Sequence, residues 1–234
     1  TNPARDDSSK GDATSGGERL ALWVALAGLL AFLAIQAFTV TGRFLDPDEG
    51  EHLTVVAAQQ AGQVLYRDLF EHHGPLYYAL LGAVVDADGD PEDTIARGRW
   101  LSFGLWLLTL GLVGRWAGGR SGTSRRRYLA AALAGLLLAS DAYTVSSLLE
   151  IRPEALLLPL LFGSLLLMLR AFEHDSRVRM VGAGLLMGLA LVTGPRTLFV
   201  GLAVLAIHLM RLALIDPIRR REALIEMALF GGAC

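Results

Sequence analysis

The sequence predicts an all-α integral membrane protein, a multi-span helical bundle of about six complete spans plus the start of a seventh, with an extracytoplasmic first loop that contains interfacial helices. Three observations predict it. The 234 residues are 53% hydrophobic and only 19% charged, with a mean hydropathy of +0.45, more apolar than one soluble core requires. Apolar runs recur at lengths approaching the roughly 20 helical residues that cross a hydrocarbon core of about 30 Å. The charges gather between those runs. The net charge of −2 is uninformative about nucleic acid, and no nucleic-acid partner is expected. The lone cysteine, Cys234, is the last residue, so it builds no disulfide framework and reveals no redox compartment.

Residues 1–18, "TNPARDDSSKGDATSGGE", are polar and rich in Gly and Ser, the composition of a disordered cytoplasmic tail. Residues 19–234 form the membrane domain. Its first span runs from Leu20 to Val40 without a charge and is too long for a signal-peptide core. Residues 41–99 then carry a charged extracytoplasmic loop. In it, "HLTVVAAQQAG" reads as an amphipathic helix, and "PLYYALLGAVV", about 16 Å long as a helix, is too short to span and suits the interface through its tyrosines. "DADGDPED" is a turn-rich acidic loop. A second span, residues 100–114, is held between Arg99 and Arg115, a third starts at Tyr128 and extends toward Ser140, and a fourth starts at Pro153. The apolar run from Met180 to Ile215 would make a helix of about 54 Å, so "TGPRT" at 193–197 is expected to divide it into two spans. The sequence lacks an initiator Met, and "EALIEMALFGGAC" resembles the opening of a seventh apolar helix, so a fragment of a longer protein is expected.

Orientation follows from the bias of Lys and Arg. With the N-terminus cytoplasmic, 15 of the 21 basic residues fall on cytoplasmic segments, while 14 of the 23 acids fall on the other side. That places "DPDEGEH" at 46–52 and "FEHHGPLYY" at 70–78 outside the cytoplasm.

Three constellations could carry chemistry. In "DPDEGEH", Asp46 and Pro47 suit a helix start and Glu49 stands at capping-box spacing, so capping accounts for Asp46 and Glu49. It leaves Asp48 without a structural duty, a candidate general base at the membrane surface. In "LFEHHGPLYY", Glu71, His72 and His73 precede Pro75, which starts the short apolar helix whose N-terminus offers amides to a phosphate. The plain alternative is a solvated loop. Glu71 with the two histidines also resembles a partial metal site, kept as the weaker alternative (Glu71, His72) because adjacent residues rarely converge on one ion. The third set is Arg97, Arg99, Arg152 and Arg196. Each alone reads as a snorkelling anchor, and together they could hold a lipid phosphate, with Asp141 and Glu150 as structural partners instead.

The succession of a first span, "DPDEGEHL", "YRDLFEHHGPLYYALLG", "ARGRWLSFGLWLL", "SSLLEIRPEALLLPLL" and "GLLMGLALVTGPRTLF" resembles the N-terminal half of the GT-C glycosyltransferases over nearly all of residues 20–230. These include protein O-mannosyltransferases and the aminoarabinose transferases of lipid A. The resemblance implies that the family's catalytic Asp-Glu pair corresponds to Asp48 and Glu49. It also implies that His73, Gly74, Pro75 and Leu76 correspond to its "HPPL" segment, and that Arg152 and Arg196 correspond to its basic positions. Gly74 replaces the first Pro of that segment, a departure expected to leave the helix start looser.

The resemblance further implies inverting transfer of a sugar from a polyprenyl-phosphate donor to a protein, lipid or glycan acceptor, at a bacterial plasma membrane and without a cofactor. Asp48 would take the acceptor's proton while arginines and His73 stabilise the departing lipid phosphate. From another class, a transporter or flippase of a lipid-linked or anionic solute also uses intramembrane charges and a Gly-Pro break. A non-catalytic membrane subunit could keep the same architecture.

Overall fold

A computed structural model describes residues 8–119, 122–174, 176–214 and 217–234. Among them, ten helices and no strand form: α1 (Ser8–Thr39), α2 (Pro47–Gln60), α3 (Pro75–Gly82), α4 (Pro91–Gly119), α5 (Ser124–Ser140), α6 (Ala142–Leu148), α7 (Glu154–His174), α8 (Arg177–Thr193), α9 (Thr197–Leu214) and α10 (Pro217–Ala233). The first seven residues of the expected tail, Arg120 of the basic loop and Asp216 lie outside the described residues.

Among the described residues, three helices are long and apolar enough to cross a membrane: Gly16–Thr39 within α1, α4, and α7. Helices α5, α8 and α9 have 17, 17 and 18 residues, about 26 Å each at the α-helical rise. Helix α1 begins at Ser8 and so extends into the stretch expected to be a disordered tail. Helix α4 starts at Pro91, about two and a half turns ahead of the second span's expected start, because Asp90 accepts hydrogen bonds from the Glu92 and Asp93 amides and caps the helix. Arg97 and Arg99 therefore lie inside α4 instead of leading into it.

Helices α1, α4, α5, α7, α8 and α10 pack as a chain of neighbours, α1 on α5, α5 on α4, α4 on α7, α7 on α8 and α8 on α10. Close approach of α10 to α8 needs Gly184 and Gly188, where a Cβ would meet the Phe230 and Cys234 carbonyls. The Trp106 indole donates to Gln36, which in turn donates to the Ala139 carbonyl, so one polar chain ties α4, α1 and α5 together inside the apolar layer. Buried in hydrocarbon, polar groups satisfied in this way fix the helix register.

The loop helices cap one pole of this bundle. Val55 and Val56 of α2, Tyr77, Tyr78 and Leu81 of α3, and Ile151 ahead of α7 form one buried cluster. Tyr77 and Tyr78 are thus core residues and not the interfacial anchors that a short apolar helix suggests. The reason is that α3 packs against both α2 and α8, and its tyrosines join the cluster with Ile151.

Candidate active site

The site is built from the start of α2. Asp46 is the N-cap, its carboxylate accepts from the Asp48 amide at 3.0 Å, Pro47 occupies the first turn, and Glu49 accepts from the Asp46 amide at 3.0 Å. The capping box is complete, as the spacing predicts. Glu49 does more than cap. Its carboxylate also takes the Arg99 guanidinium, at 2.9 Å to Nε and 2.7 Å to Nη2, and the Ile151 amide at 3.1 Å. The Glu49 side chain is fully buried and that of Arg99 is 2% exposed. Burial opposes ionisation of Glu49, but the Arg99 guanidinium and the Asp46 and Ile151 amides outweigh it and hold its carboxyl below the ordinary range. Arg99 spends its remaining donors on the carbonyls of Arg43 and Phe44, at 3.0 and 2.9 Å, and so fixes the turn between α1 and α2.

Asp48 is placed differently, with its side chain 51% exposed. One of its oxygens is 2.9 Å from Arg152, whose guanidinium also reaches Asp46 at 3.1 Å and Glu150 at 2.6 Å. Glu150 pairs with Arg43 as well, at 2.9 Å. Asp141 caps α6 through the Thr144 amide, and among the described residues it pairs with no arginine.

The second wall is the segment 71–74. The Glu71 carboxylate accepts from the His72 and His73 amides, and its Oε1 lies 2.8 Å from His73 Nδ1 and 3.3 Å from His72 Nδ1. Burial opposes its ionisation, and the hydrogen bonds from His73 and Tyr78 outweigh it and hold Glu71 below the ordinary carboxylate range. Glu71, His72 and His73 bring one donor atom each within 4.8 Å of one another, so these neighbours do converge and have the residue types to hold a divalent ion. Glu71 is already satisfied by its own loop, and its bond fixes the His73 ring.

Gly74 anchors this loop. Its amide donates to the Thr193 carbonyl at 3.0 Å, and a Cβ on it would overlap the Val192 carbonyl. Proline at this position would lose the bond and collide, so the departure from "HPPL" tightens the helix start against α8 instead of loosening it. Tyr66, in the left-handed region at φ 66°, gives its hydroxyl to the His73 carbonyl at 2.6 Å and holds the loop from the other side.

These elements enclose a polar cavity of about 100 Å³ lined by Asp48, Glu51, His52, His72, His73, Arg152, Glu154 and Arg196. Of the residues singled out in the sequence, the fold brings together Asp48, His72, His73, Arg152 and Arg196, with Glu71 and Pro75 behind the histidines. It keeps three apart. Glu49 and Arg99 are buried against each other, and Arg97 forms an exposed pair with Asp93 at 3.2 Å. Arg196, 74% exposed, stands at the cavity's lip, 3.1 Å from Glu154.

His52 was not anticipated. It stands four residues after Asp48, on the same helical face, which is the signal that could have found it. Its Nδ1 is 2.9 Å from the Tyr78 hydroxyl, and its ring meets the His73 ring edge-on at 5.1 Å. Burial, reinforced by His73, pushes His52 down to about 4, so it is neutral at pH 7.

Residues 121–233 match the family described as dolichyl-phosphate-mannose-protein mannosyltransferase. The match covers Arg152 and Arg196 and lies downstream of Asp48 and His73. Neither a curated protein nor a solved structure matches the chain. The chain resembles the GT-C glycosyltransferases, and at the level of the family the match supports mannosyltransferase-like chemistry at a membrane.

Proposed function

We propose that the chain is the portion of a GT-C glycosyltransferase that holds the catalytic base, moving a sugar from a polyprenyl-phosphate donor to an acceptor hydroxyl on the extracytoplasmic side. The observation that carries this reading is the joining of Asp48, His73 and Arg196 around one polar cavity at the pole of an apolar bundle. The cavity has room for a phosphoryl group, with sugar and acceptor outside its mouth. The family description names dolichyl-phosphate-mannose as donor and protein as acceptor, and a polyprenyl-phosphate sugar fits the same chemistry here.

Asp48 takes the proton of the acceptor hydroxyl as its oxygen bonds to the anomeric carbon and the bond from that carbon to the phosphate oxygen breaks. Arg152 holds one Asp48 oxygen and leaves the other open, which makes it a positioning residue. Arg196 and His73 face the negative charge that develops on the leaving phosphate. Glu49 acts through the backbone, since its carboxylate fixes the first turn of α2 and with it the direction of Asp48.

Asp48→Asn in the full-length protein should lower sugar transfer from a polyprenyl-phosphate donor by about 10² to 10⁴-fold without changing expression or thermal midpoint. Transfer within a factor of two of wild type in that variant would overturn the assignment, and flux of a labelled anionic solute into proteoliposomes would then favour transport.

A further inference from the structure

At the pole of the bundle remote from Asp48, α4, α5 and α7 enclose a second cavity, of about 700 Å³. Arg115 on α4, Arg127 on α5 and Arg170 on α7 line it, with Tyr128, Glu173 and His174. Arg127 has a partner of its own, and among the described residues no carboxylate is within ion-pair distance of Arg115 or Arg170. Arginines at the end of a membrane span lie at headgroup depth, where a charge without a fixed partner in the chain is open to an anion from outside it. The cavity between these helices has room for one. Gly118 of α4 lies directly on the Arg127 carbonyl, where a Cβ would stand 2.8 Å away, so α4 and α5 touch at the cavity's wall. Arg179 of α8 donates to the Arg170 carbonyl at 3.3 Å and ties the end of α7 to its neighbour.

The geometry points to a binding site for the phosphodiester headgroup of an anionic phospholipid, drawn from the leaflet at this pole and held by Arg115, Arg127 and Arg170. A guanidinium offers paired donors that match phosphate oxygens, and basic pockets between spans at the headgroup level have the depth and charge for such lipids. The lipid source is favoured over a soluble phosphate because the walls are spans. Leu112, Trp116 and Leu169, neighbours of these arginines on α4 and α7, line an apolar groove that carries the surface into the hydrocarbon.

The test uses the full-length protein in nanodiscs of phosphatidylcholine with about one third phosphatidylglycerol, followed by native mass spectrometry of the detergent-released protein. Wild type should retain phosphatidylglycerol in preference to phosphatidylcholine. The double variant Arg115→Gln with Arg170→Gln should retain about tenfold less of it. Glu173→Gln, which removes the cavity's acid, should retain more, a gain that misfolding would not produce. Equal retention of the two lipids by wild type, or undiminished retention in the double variant, would overturn the proposal. Millimolar glycerol phosphate should fail to displace the lipid, and displacement by it would reassign the site to a soluble phosphate. Sugar-transfer activity is not the readout, so the outcome is independent of the role given to Asp48.

Discussion

Glu49 and Arg99 meet through two hydrogen bonds of 2.7 and 2.9 Å with both side chains shut away from solvent, and that pair joins the first loop helix to the second apolar span. Breaking such a pair from one side leaves a buried charge uncompensated, at a cost of about 3–5 kcal/mol. Arg99→Met should therefore lower the thermal midpoint in detergent sharply. Adding Glu49→Gln to it should recover part of the loss, because the stranded carboxylate is gone. Additive losses from the two substitutions would show that the pair is not coupled in the folded protein.

That pair also marks the limit of what the sequence discloses. The cap of α2 was legible, since Asp46, Pro47 and Glu49 are local and the capping box is a matter of spacing. So were the apolar helices, whose composition does not depend on their neighbours. Arg99 reads as a snorkelling anchor alone, or as a phosphate ligand within a set of arginines, until its partner fifty positions away is known. The tyrosines of α3 misled for the same reason. Their burial comes from α2 and α8, and nothing in "PLYYALLG" records that packing. His52 was legible in principle from its i,i+4 relation to Asp48 but lay in the shadow of the acids around it.

Gly74 should tolerate no side chain. Gly74→Ala drives a methyl group into the Val192 carbonyl and should cost about 1–3 kcal/mol, the range for overpacking. Gly74→Pro, which restores the family's motif, should be worse, since it also removes the donor to Thr193. Thermal midpoints in the order wild type, alanine, proline would bear this out. A proline variant as stable as wild type would mean that the 71–74 loop docks otherwise on α8.

The pH dependence of stability should carry a signature of His52. Its folded value, about 4, is below its ordinary 6.5, so between those limits the unfolded chain binds the extra proton and the folded one does not. Stability from this group is full above pH 6.5 and is lost as pH falls toward 4, by roughly 3 kcal/mol in all. Glu49 and Glu71, held below their ordinary 4.5, contribute stability that is lost only below that value. The window from 4.5 to 6.5 is therefore where His52→Gln should flatten the slope of the denaturation midpoint against pH. An unchanged slope there would assign the titration to other groups.

Arg196 is the site cation whose role can be separated from folding. It is largely exposed, and its pair with Glu154 at the surface contributes little to stability. Arg196→Gln should leave the thermal midpoint within a degree or so, while removing one charge-assisted donor from the cavity's lip should raise KM for a polyprenyl-phosphate donor about tenfold. Glu154→Gln should act in the opposite direction, because it frees the guanidinium from its resident carboxylate. Arg196→Lys keeps the charge but not the paired donors, so it should fall between wild type and glutamine. A fall in midpoint with KM unchanged would make Arg196 a structural tie between α7 and the turn from α8 to α9, and the phosphate would then have to be held by His73 and the helix end behind it.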